Sequence, residues 1–329
     1  MSVEDLPKVE LHLHLEGAAP PDFIRTLAAE QGLALDGVFN PDGSYAWEDF
    51  AAFLKTYHAA CAVLRGPEEF RRLTEAVLEK SASDGVVYTE IFISPEICGG
   101  GDRAAWSEYL DAITSAARAA GAAHGITARF IATCIRNLGP AAARRDAALA
   151  AEAQGAMLPG FGMGGEERHL RAADFAPAFD LAREAGLRLT AHAGELCGAD
   201  SVKDTLDHLR PERIGHGVRA IEDPALVTRL AEEGIVLEVN PGSNVALKVF
   251  DDWAAHPIAR LRAAGVAVTV STDDPPYFHT DMRREYAILA QTFGWDAAVF
   301  GGLNRVALDA AFCDAATKAR VAAKLQEGA

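Results

Sequence analysis

The chain has 329 residues, is 50% hydrophobic and carries a formal net charge of −16. That size supports a large core, while the lack of any apolar run near the ~18 residues of a membrane span, together with the acidic start Met1-Ser2-Val3-Glu4-Asp5, predicts neither a transmembrane helix nor a secretory leader. The acidic field repels a phosphate backbone and disfavours a strongly anionic ligand, which excludes nucleic acid and membrane as expected partners and leaves a small molecule.

Short β-rich runs alternate with Ala-, Glu- and Arg-rich helical stretches. The first run, residues 9–15, contains His12-Leu13-His14. A long excursion from Gly17 to Gly85 follows, with helical patterns such as Phe50-Ala-Ala-Phe53-Leu54-Lys-Thr-Tyr57. Its position above a barrel mouth suits a lid, and plain packing is the alternative. Further strands are predicted at 86–93, 126–134, 156–163, 187–192, 213–216, 235–239 and 266–272. Gly186, Gly234 and Gly265 each stand just before a strand, the expected end signal of the preceding helix. Strand alternating with helix implies a parallel sheet, and eight units predict one α/β domain over residues 1–329, a single (β/α)8 TIM barrel with a helical insertion after strand 1. A doubly wound open sheet is the alternative, weakened because no G-x-G-x-x-G follows the first strand. Cys61, Cys98, Cys134, Cys197 and Cys313 are scattered and form no C-x-x-C, which reads as free thiols in a reducing cytoplasm.

Chemistry-bearing residues collect at the predicted strand ends. His12 and His14 lie two apart and share a strand face, which makes half a zinc site. The fifth strand ends in His192-Ala193-Gly194-Glu195, the sixth in His216, the eighth in Asp273-Asp274. Barrel active sites form where such ends converge. Three His and one carboxylate suit zinc. No lysine lies between Lys80 and Lys203 to bridge two metals, so one zinc per chain is expected. Glu195, three residues past a ligand His, is placed like a general acid or base, and His216 like a group that orients water and stabilises charge. His58, His124, His169, His208 and His256 are assigned to surface or capping positions, and Trp47, Trp106, Trp253 and Trp295 to packing. His279 follows the eighth strand closely, and its role, in the pocket wall or outside it, is left open.

The chain resembles the adenosine deaminase family, which includes adenine deaminases. The matching segments are Val9-Glu10-Leu11-His12-Leu13-His14-Leu15-Glu16-Gly17, His192-Ala193-Gly194-Glu195, Arg213-Ile214-Gly215-His216-Gly217, Leu237-Glu238-Val239-Asn240-Pro241-Gly242-Ser243-Asn244 and Ser271-Thr272-Asp273-Asp274-Pro275, in family order. The resemblance implies zinc on His12, His14, His192 and Asp273, and Glu195 as the acid that protonates a purine ring nitrogen. It implies His216 and Asp274 as the pair that holds and activates water. It implies substrate contacts at His14, Glu16, Gly165 and Asp274, with the Gly165 backbone meeting the purine. Glu16 and Tyr277-Phe278 look like the adenine branch, whereas Asn240-Pro241-Gly242-Ser243 departs from that branch's usual Cys-Pro-Leu-Ser.

The expected activity is therefore deamination of adenosine and 2′-deoxyadenosine to the inosine products plus ammonia, in purine salvage. Adenine or another 6-aminopurine is the alternative substrate. A zinc-stabilised binding protein without turnover is the alternative from another class, and it needs neither Glu195 nor His216 beside the metal.

Overall fold

The computed structural model describes residues 2–327. Its eight parallel strands follow one another around the sheet in chain order: β1 (Lys8–His14), β2 (Val86–Ile93), β3 (Thr127–Ile135), β4 (Gly160–Gly164), β5 (Arg188–Ala193), β6 (Arg213–His216), β7 (Val236–Val239) and β8 (Ala267–Val270). The segment after β8 returns to β1 through a Leu13–Asp273 bridge. There the His14 N–H donates to the Asp273 carbonyl and the Asp273 N–H to the His12 carbonyl, both at 3.1 Å. The sheet thus closes into the (β/α)8 barrel that the alternation of strands and helices predicts.

Two strand ends differ from expectation by more than one residue, for local reasons. β4 starts at Gly160 rather than 156, because Gly155 and Leu158 hydrogen-bond to each other in a turn. β8 stops at Val270 rather than 272, because the Thr272 N–H turns to the Glu10 carboxylate at 3.1 Å.

The helices are α1 (Pro21–Gln31), α2 (Phe50–Cys61), α3 (Pro67–Ser83), α4 (Arg103–His124), α5 (Gly139–Glu152), α6 (Ala176–Glu184), α7 (Ala199–His208), α8 (Pro224–Glu233), α9 (Pro241–Ala246), α10 (Ile258–Ala263), α11 (Met282–Phe293), α12 (Ala297–Ala310) and α13 (Ala315–Glu327). Aspartates start several of them: Asp49, Asp102, Asp223, Asp281 and Asp296 accept from first-turn N–H groups that have no intrahelical acceptor. Apolar faces of the helices and strands merge into a continuous core, and Phe92, Ile131 and Phe312 form a separate buried cluster. No helix among the described residues is long and apolar enough to cross a membrane. All five cysteines are free.

The 17–85 excursion folds over one end of the barrel. Tyr45 stacks on Tyr277 with centroids 3.9 Å apart, and Trp47 Nε1 donates to the Tyr277 carbonyl at 2.9 Å. Phe53 packs against Tyr277 and Phe278. These contacts seat α2 on the loop after β8, so that Phe50, Phe53, Leu54, Tyr57 and His58 help line a cavity of about 440 Å³.

Candidate metal and catalytic site

The cavity opens at the C-terminal ends of the strands. β1 brings in His12 and His14, β5 brings His192, and the turn after β8 brings Asp273. Their ligating atoms all lie within 4.8 Å of one another. Asp273 Oδ1 is 3.4 Å from His12 Nε2 and 3.3 Å from His14 Nε2, and His14 Nε2 is 3.2 Å from His192 Nε2. Gly215 on β6 makes room for this cluster, since a Cβ there would press on both His12 and His192.

Two observations show that the cluster suits a cation. His12 Nε2 is fully buried, and it faces only the Asp273 carboxylate, at 3.4 Å, without a well-formed hydrogen bond. Burial alone would lower the His12 pKa, but hydrogen bonds and charge from Asp273 and Glu238 push it up to about 9. The environment therefore demands positive charge at that point. Burial would raise Asp273, but hydrogen bonds from His12 and His14 hold it well below the carboxylate range. An anionic carboxylate facing convergent imidazoles is a donor set that can hold a divalent metal ion.

Behind His12 stands a buried charge network. His12 Nδ1 donates to Glu238 Oε2 at 2.9 Å, which leaves Nε2 as the free lone pair. Arg213 Nε donates to Glu238 Oε1 at 2.5 Å, and Arg213 Nη2 pairs with Glu90 at 2.7 Å. Burial would raise Glu238, yet Arg213 and His12 keep it below its ordinary value and thus charged. The sequence carried a signal for these residues, which went unused: single charges in apolar strands, Arg213 before Ile214 and Glu238 between Leu237 and Val239.

Glu195, His216 and Asp273 form a second cluster, with His216 Nε2 3.8 Å from Glu195 Oε1. Burial, then the charges of Asp273 and Glu167, raise the Glu195 carboxyl well above its usual range, which favours the protonated form. Glu167, 3% exposed, anchors the turn that carries Glu195. Its carboxylate accepts the backbone N–H groups of Gly194, Glu195, Leu196 and Cys197 and the Ser201 hydroxyl, at 2.5–3.1 Å. Sequence reasoning missed Glu167, because nothing in one chain tells a buried anchor from a loop carboxylate. His216 and Asp273 both adopt left-handed backbone, φ 62° and 69°, a strained state that concentrates at functional sites.

Asp274, Glu16 and Gly165 also line the cavity. Asp274 is raised well above its usual pKa, first by burial and then by Asp273, Glu195 and Glu16. Glu16 is 4% exposed and raised to about 7 by burial, and its Oε1 has no partner. Tyr57 reaches Glu16 Oε2 at 3.5 Å. Gly165 has φ +101°, a conformation that suits glycine. The described residues depart from the sequence expectation at two histidines: His58 lines the cavity, and His256 is buried. His279, whose role the sequence leaves open, is not among the lining residues.

Gly17 sets the position of Asp274. A Cβ built on Gly17 would overlap the Asp274 carboxylate. Gly17→Ala is therefore expected to keep the fold and metal content while turning Asp274 out of place, with kcat reduced by roughly 10²-fold, the cost of a small misplacement of reacting groups. Wild-type turnover in a folded Gly17→Ala protein would show that Asp274 does not need this position.

Comparison with known proteins adds to this geometry. The family model described as adenosine deaminase matches residues 7–328. An adenine deaminase of Rhizobium rhizogenes is 49% identical over 323 residues, covering 97% of this chain and 99% of that one. Among solved structures, an adenine deaminase from Arthrobacter aurescens superposes with a TM-score of 0.88 at 30% identity, covering 98% of each chain. An amidohydrolase from Burkholderia ambifaria with bound zinc superposes with a TM-score of 0.84 at 28% identity, covering 99% of this chain and 91% of that one.

Proposed function

The chain belongs to the adenosine deaminase family, and we propose that it hydrolyses the 6-amino group of adenine, giving hypoxanthine and ammonia. This reverses the order of substrates expected from the sequence, which put adenosine first. The structural observation that carries the choice is Glu16: a buried carboxyl with a free oxygen, backed by Tyr57, inside the cavity. A pKa near 7 lets it accept from or donate to a ring nitrogen of a bare base. The Rhizobium and Arthrobacter relatives, named adenine deaminases, support the same substrate. A nucleotide fits poorly. The described lining residues include Glu16, Glu96, Glu195, Asp273 and Asp274 but no Lys or Arg to meet a phosphate.

In this reading His12, His14, His192 and Asp273 hold one zinc. When bound, the metal supplies Lewis acidity that makes water a stronger nucleophile near neutral pH. Glu195, protonated by its surroundings, gives its proton to a ring nitrogen and so makes C6 more electrophilic. His216 and Asp274 hold the attacking water. The Gly165 backbone and Glu16 fix the ring in its plane. The apolar walls, including Phe53, Phe92 and Leu247, exclude bulk water and strengthen these interactions.

The test is kcat/KM for adenine and adenosine on one zinc-replete preparation, read by ammonia release. Adenine is expected to lead by at least about tenfold, because a pocket matched to one set of polar groups leaves them unpaired with the other substrate. Glu16→Asp is expected to move the ratio toward adenosine. Equal rates, or a lead for adenosine, would return the assignment to the nucleoside.

A further inference from the structure

A chain of hydrogen bonds behind the cavity begins at a group whose role is fixed. The Ile258 N–H, at the start of α10, donates to His256 Nδ1 at 3.3 Å. A backbone amide has only a proton to give, so Nδ1 is the bare nitrogen of that ring. His256 is 1% exposed, and burial lowers its pKa to about 3, so the ring is neutral with its single proton on Nε2. His256 Nε2 lies 3.1 Å from Asn244 Oδ1 and donates to it. That sets the orientation of the Asn244 amide and turns its Nδ2 toward His216 Nδ1, 3.1 Å away.

A second residue reaches the same nitrogen independently. Asn240 Nδ2 donates to the Glu238 carbonyl at 3.3 Å, an atom that can only accept, and also lies 3.3 Å from His216 Nδ1. Two N–H groups aimed at His216 Nδ1 leave no room for a proton on it. The remaining nitrogen, Nε2, faces Glu195 and Asp273 at 3.8 and 3.7 Å.

We propose that Asn244 and His256 are positioning residues for the reaction, which hold His216 as the tautomer that presents Nε2–H to the cavity. The proposal rests on the deaminase reading for its consequence. His216 gives a hydrogen bond to the attacking oxygen and stabilises negative charge on it, and it does not take the proton from water. The relay starts from α10, outside the cavity wall, so two residues that touch no substrate govern the one that does.

The decisive measurement is the tautomer of His216 in zinc-loaded protein with ¹⁵N-labelled histidine, read from long-range ¹H–¹⁵N correlations. Wild type is expected to carry the proton on Nε2. Asn244→Asp keeps the shape but offers only acceptors, which draws a proton onto His216 Nδ1. That variant is expected to show the altered signature, full zinc content and kcat for adenine lower by roughly 10²–10³-fold, the loss typical of removing one donor to a developing oxyanion. His256→Phe frees the Asn244 amide to turn and is expected to lower kcat in the same direction. A wild-type His216 protonated on Nδ1, or an Asn244→Asp enzyme with normal kcat, overturns the proposal. If the variants fail to fold, the wild-type spectrum alone decides. If wild type releases no ammonia from any 6-aminopurine, the deaminase reading fails while the spectrum still tests the relay.

Discussion

Glu195→Gln is expected to remove most turnover while leaving the fold and the zinc in place. The side chain is 6% exposed, and its backbone is held by the Glu167 carboxylate rather than by its own side chain. The amide therefore occupies the same place but has no acidic proton to deliver. General acids typically contribute about 10²–10⁴-fold, so kcat for adenine should fall by at least that factor. The controls are zinc content by elemental analysis and the thermal midpoint. The metal is expected to stay because Glu195 lies outside the four-residue ligand cluster. Unchanged turnover in zinc-replete Glu195→Gln would assign the proton donor elsewhere in the cavity.

The parts of this molecule that were legible in the sequence share a physical reason. The barrel could be read from alternation because each strand must be apolar enough to bury both faces, and several helices end on a signal such as Gly234, φ +66°. The residues at the strand ends stood out because His12, His14, His192, Glu195, His216, Asp273 and Asp274 are costly polar groups at the ends of apolar runs; the fold lines the cavity with six of them and sets His12 in the ligand cluster with His14, His192 and Asp273.

The supporting residues were harder to see. Asn240 and Asn244 lie in a turn-like Asn-Pro-Gly-Ser-Asn segment where asparagine is ordinary, yet both are fully buried against His216. His256 follows Asp251-Asp252, a polar stretch that reads as surface, and only the fold brings its ring to Asn244. Glu167 follows Glu166, which is partly exposed and pairs with Arg168, so one chain alone gives no way to tell the pair apart. Burial of a loop residue depends on what packs over it, and that information is non-local. The order of the two substrates was hard to read for a related reason. Glu16 was weighed by its length against Asp, whereas its pairing with Tyr57 comes from α2, dozens of residues away.

Asp273→Ala is expected to lose the zinc, and its effect should exceed that of any residue behind the ligands. Asp273 supplies the anionic member of the set and is fixed by the Ser243 hydroxyl, which donates to its Oδ2 at 2.7 Å. Removing it leaves three neutral imidazoles around a divalent ion in a buried cavity, with no charge to offset desolvation. Glu238→Gln makes a sharp comparison. It weakens the acceptor that orients His12 but removes no ligand, and changes of that kind typically cost about 10–100-fold in metal affinity. Purified wild type is expected to hold one zinc per chain, Glu238→Gln to hold it but yield it sooner to a chelator, and Asp273→Ala to be isolated largely without it. Chelation of wild type should abolish ammonia release, and added zinc should restore it. Two metals per chain, or full activity without metal, would remove the zinc assignment. Zinc retained by Asp273→Ala at wild-type affinity would move the anionic ligand elsewhere, with Glu195, which clusters with Asp273 and His216, the first candidate.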